Sequence, residues 1–197
     1  MALYQHDLYL VRADRSRPLL GALRDRGLVR DAEVGEGVVL PGGARALVEA
    51  GRLRTGGGTT LQVTALLIED EDVGLFTRDF DAVVSWLEDT ARAMDLLVAF
   101  MPGGPDASSG AAGLEPFLTA LLDEGRVETA HALVWFASSV ADGAPCDVVN
   151  PPYRTVRVPG LGCLFALVDV APDGSFEILE PGPDRAHLLS AWSTTHR

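Results

Sequence analysis

Apolar and polar positions along this chain fall into two recurring spacings, and together they predict a mixed α+β fold. Residues 3–11 alternate loosely and carry aromatic and β-branched side chains, the pattern of a first strand. Ser16 then offers a capping hydroxyl and Pro18 a first-turn proline, and the spacing of Leu19, Leu20 and Leu23 predicts a short helix ended by Gly27. Glycines punctuate residues 29–58, which predicts short strands joined by turns, with a brief helix over 44–50 as the alternative. Residues 61–68 read as a strand. Glu69, Asp70, Glu71 and Asp72 follow as a polar turn into a strand at 73–77, a hairpin with an acidic tip.

Asp79 can cap the next element. In it Phe80, Val83, Val84, Leu87, Ala91 and Met94 recur at three- and four-residue steps, the clearest amphipathic helix of the chain. Residues 96–101 return as a buried strand. The Pro/Gly/Ser/Ala-rich stretch 102–113 reads as a flexible loop, a flap or linker. Two helices are predicted next, one on Leu114, Phe117, Leu118, Leu121 and Leu122, the other on Ala130, Leu133, Val134, Ala137 and Val140.

The last third changes in kind. Strands at 154–158, 163–170 and 175–180 are separated by Pro159-Gly160 and Pro172-Asp173-Gly174, an antiparallel meander. Pro183 and Asp184 open a final short helix over Leu188, Leu189 and Trp192. Hairpins and helices mixed in this order predict one α+β domain over 1–197, with a mainly antiparallel sheet and helices packed on one face. Repeated βα units are missing from the pattern, so a doubly wound parallel fold is not expected.

Charge narrows the choice of function. The 197 residues carry a net charge of −12, unevenly distributed. Residues 1–54 hold nine arginines against seven acids, whereas 69–95 hold nine acids against two arginines. A surface of this sign repels phosphate backbones, so nucleic acid is not an expected partner. It suits a basic protein, and it also keeps a protein soluble. All sixteen basic residues are arginine, a composition that codon bias in a GC-rich bacterial genome accounts for. Cys146 and Cys163 are too few for a disulfide framework, and no secretory leader or bilayer-length apolar run is visible. The expectation is a cytoplasmic protein with reduced thiols, touching no membrane.

Candidate chemistry is sparse. Gly56-Gly57-Gly58 leads into a strand in a chain without lysine, so it reads as a hairpin loop rather than a phosphate cradle. The histidines are isolated, with no metal-ligand spacing, and no cofactor motif appears. No residue is assigned a catalytic role. Cys163 sits in an apolar run, where an inert thiol is expected. Trp86 and Trp135 are read on helices, one position off the apolar stripe, where packing at the core edge is the commoner case and half exposure at an interface the alternative, with His131 one helical turn before Trp135.

Two functions remain. One is a small acidic binding protein, of the immunity or inhibitor kind, that meets a basic partner through Glu69, Asp70, Glu71, Asp72, Asp79 and Asp81 with Trp86 as anchor. The other is an enzyme or small-molecule binder with a pocket under the 102–113 loop, lined by His131, Trp135, Cys146, Asp147 and His187. Self-association is a further expectation, the basic N-terminal helix of one copy docking on the acidic remainder of another.

Overall fold

Leu8 and Leu10 of strand β1 (Gln5–Ala13) enter one apolar core while Tyr9 and Val11 enter a second. A strand with two apolar faces has to lie inside a sheet, because alternate side chains point to opposite sides. The computed structural model describes residues 5–33, 35–102, 111–124, 131–140 and 153–179. Among them ten strands form one antiparallel sheet, with β1 between β5 (Thr60–Glu69) and β6 (Leu96–Pro102). Beyond β5 come β4 (Arg45–Arg54) and the two-residue strands β3 (Val38–Val39) and β2 (Arg30–Asp31). Beyond β6 come β7 (His131–Ala137) and β9 (Gly162–Val170). The expected meander is there: β9 pairs with both β8 (Tyr153–Val158) and β10 (Phe176–Ile178). Its turns close through Gly160 and Gly174, both at positive φ, which the missing Cβ permits.

Helices α1 (Leu19–Asp25), α2 (Asp70–Phe76) and α3 (Phe80–Met94) cover the face of Leu8 and Leu10. Helix α4 (Ala111–Leu118) and the π-helical turn Thr119–Asp123 cover the other face through Leu114, Phe117, Leu118 and Leu121. The α+β class and the antiparallel sheet are as the pattern predicts, and α1–α3 do share one face; α4 sits on the opposite one. Phe117 meets Phe100 edge-on at 4.8 Å, and Phe100 stacks on Tyr9 at 5.0 Å, an aromatic seam that fixes α4 over the sheet.

Three local expectations are corrected. The acidic hairpin tip is instead the start of α2. Asp70, Glu71 and Asp72 fill its first turn, where negative charge complements the helix dipole, and Phe76 is buried on the inner side. The segment read as a second helix at 130–140 is strand β7, between β6 and β9. Leu133 and Trp135 enter one core, Val134 and Phe136 the other. A run buried on both faces has no alternation, so its period cannot separate strand from helix. Finally, α1 starts after Pro18 with no side-chain cap, so Ser16 does not cap it. Residues 44–50 take the strand rather than the brief helix. The expected helix after Pro183 lies outside the described residues.

Candidate functional site

Glu69 ends β5 half-buried, and the chain turns directly into α2. Asp70 and Glu71 are exposed there, whereas Asp72 is buried and accepts hydrogen bonds from the Arg45 backbone amide at 3.2 Å and Arg45 Nε at 3.3 Å. Glu71 lies 3.6 Å from the same guanidinium, and Asp70 lies 4.0 Å from His6 Nε2. Asp79 caps α3 as expected, its Oδ1 accepting from the Ala82 amide at 3.2 Å. Asp81 is exposed two residues on, in the first turn of α3. The acidic run is thus partly spent within the fold: Asp72 ties α2 to the start of β4, and Asp79 holds the end of a helix.

Trp86 is buried at the core edge, which excludes the half-exposed alternative, and its indole N–H donates to the Leu28 carbonyl at 2.6 Å. It joins Leu28, Arg30, Leu40, Gly42 and Gly43 around an open cleft of about 510 Å³. An indole committed to Leu28 cannot serve as a protruding anchor. Trp135 is also buried, 1% exposed, in the middle of the sheet. On a strand, positions 131 and 135 lie about 13 Å apart rather than one helical turn.

The Glu88-Asp89 pair, which the α3 pattern sets on its polar face, extends the surface of Asp81 along the helix: Asp89 is exposed, and Glu88 is half-buried and bound to Arg92 at 2.8 Å. The helical period places them there: positions 81, 85, 88, 89 and 92 form the polar complement of the Phe80–Met94 stripe.

Of the alternative pocket, Cys146, Asp147 and His187 lie outside the described residues. His131 opens β7 opposite Pro102, which places it at the base of the segment that follows Pro102. Cys163 is buried, as expected, but it is disulfide-bonded rather than a reduced thiol. The sequence holds one other cysteine, Cys146.

A second polar group lies on the α4 face. The Tyr9 hydroxyl donates to Asp7 Oδ2 at 3.1 Å. Burial, then the charge of Asp7 and its hydrogen bond, push the Tyr9 phenol up to about 12. Burial raises the Asp7 carboxyl too, with Glu49 adding to the effect and the Tyr9 hydrogen bond opposing it. Both groups therefore hold their protons more tightly than they would in water.

Compared with known proteins, the chain matches no family model, no curated protein and no solved structure.

Proposed function

We propose that this chain is a protein-binding module, of the immunity or inhibitor kind, whose acidic helical face meets a basic protein partner. One observation carries the reading: Asp70, Glu71, Asp81 and Asp89 all face solvent from α2 and α3, two helices anchored in the same core. Fixed carboxylates on a rigid layer steer an oppositely charged partner and raise its association rate at low salt. Trp86 has no part in the contact, and Asp72 and Asp79 serve it only by holding α2 and α3 in place.

A cytoplasmic location belongs to the same reading as a proposal, and the disulfide at Cys163 weighs against it, since such bonds persist in oxidising compartments. Thiol titration of protein taken directly from its source cells separates the two.

The function is tested with the double charge reversal Asp81→Lys/Asp89→Lys, which leaves the buried stripe of α3 untouched. Immobilised wild-type protein should retain a basic protein from source lysate at low salt and release it in a salt step. The variant should bind that protein about tenfold more slowly at low salt. Equal association rates for variant and wild type would overturn the proposal.

A further inference from the structure

Strand β4 is ten residues long and pairs with β5 from Ala46 to Arg54, but β3 covers its outer edge only at Arg45 and Ala46. Three contacts show which backbone groups point outward. The Leu40 amide donates to the Ala44 carbonyl, so Ala44 faces β3. The Ala46 carbonyl lies against Gly37, on the same side. At the far end Thr55 donates inward to Thr59. Antiparallel strands alternate the direction of these groups residue by residue. Val48, Ala50, Arg52 and Arg54 therefore turn their N–H and C=O groups away from β5. Glu49, Ala50, Gly51 and Arg52 are exposed, so among the described residues this stretch is a bare sheet edge, and next to it Leu47 is the exposed large apolar residue.

We propose that the edge from Val48 to Arg54 receives an extended segment of another protein as an added antiparallel strand. The side chains define its chemistry. On the α4 face the edge offers Glu49, the gap over Gly51, and half-buried Leu53, which ask for a basic, a bulky and an apolar residue. On the other face it offers Val48, Ala50, Arg52 and Arg54. Arg52 is bonded to Asp14 at 2.8 Å, and Arg54 forms no ion pair among the described residues. The segment that fits carries acidic residues opposite these arginines.

A second copy is the wrong occupant. The first two-fold register that keeps the copy's β4–β5 turn clear of Gly37 and Val38 sets Arg52 directly against Arg52, a destabilising like-charge pair. This inference is independent of the acidic face on α2 and α3.

The probe is an acetylated, amidated peptide Asp-Val-Glu-Phe-Thr-Lys-Val, aligned antiparallel from Arg54 to Val48, with a scrambled peptide as control. Amide NMR of the full chain is expected to show binding below about 1 mM. The amides of Val48, Ala50, Arg52 and Arg54 should shift and gain exchange protection. Ala50→Pro removes an outward N–H that no ladder bond uses, so it should abolish binding while leaving the folded spectrum in place. Arg54→Glu, which does not depend on tolerance of proline, should weaken this peptide at least tenfold and recover with lysine in place of its first residue. Three results would overturn the proposal: equal binding of the scrambled peptide, no shift at these amides, or concentration-dependent shifts of the same amides without peptide.

Discussion

The Asp123 carboxylate accepts the backbone amide of Gly57 at 2.8 Å, joining the tip of the β4–β5 hairpin to the π-helical turn on the far side of 66 residues of chain. The Gly56 amide adds a bond to Thr119 Oγ1 at 2.9 Å. A side chain at position 57 would run into the Asp123 carboxylate at 2.6 Å, so the glycine is what lets the two segments close. The loop is a hairpin turn, as its sequence suggests, and it is fastened at its tip.

Acid should release this fastening. Hydrogen bonds from the Thr55 hydroxyl, then the Gly57 amide and Thr59, hold the Asp123 carboxyl below its ordinary 3.8. A lowered carboxyl stabilises the fold above the unfolded value and loses that contribution as pH falls through the folded one. The Gly57 amide should therefore keep its docked NMR shift at pH 4 and lose it under stronger acid, while Asp123→Ala shows the released shift at every pH. An amide indifferent to both changes would mean that the turn is held by other contacts.

Alkali should act on the opposite end of the same face. With the Tyr9 phenol at about 12 against an ordinary 10.0, the folded state keeps a proton that the unfolded chain gives up. Stability from this group is whole below pH 10 and declines as pH rises from 10 toward 12. Tyr9→Phe should remove that part of the alkaline loss, read as a shallower fall in urea midpoint over this interval. A wild-type slope in the variant would show that other groups carry it.

Gly162 sets a third expectation. A Cβ there would lie 2.3 Å from the Phe136 carbonyl oxygen and 2.6 Å from the Trp135 ring. Neither can retreat, since both belong to the buried strand β7. Gly162→Ala should cost about 3 kcal/mol in equilibrium unfolding, at the upper end of overpacking penalties. Combining it with Trp135→Phe should recover little, because the Phe136 carbonyl still blocks the site. A neutral Gly162→Ala would mean that β9 can shift away from β7.

Where a long apolar stripe or a turn motif stands out, the sequence by itself determined the element: the α3 stripe, the cap at Asp79 and the Pro-Gly and Asp-Gly turns of the meander are as read. Hydrophobic period and turn chemistry are local, so they survive without knowledge of the neighbours. The tertiary structure decided the rest. β7 became a strand because both its faces are buried, which erases the period that would name it. Residues 70–76 became a helix because Phe76 found the core and Asp72 found Arg45, 27 residues away in sequence. The candidate site divided for the same reason. Exposure of Asp81 and Asp89 follows from their helical positions, but the burial of Trp86 against Leu28 and the bare edge of β4 depend on which segments meet, and no local spacing records that.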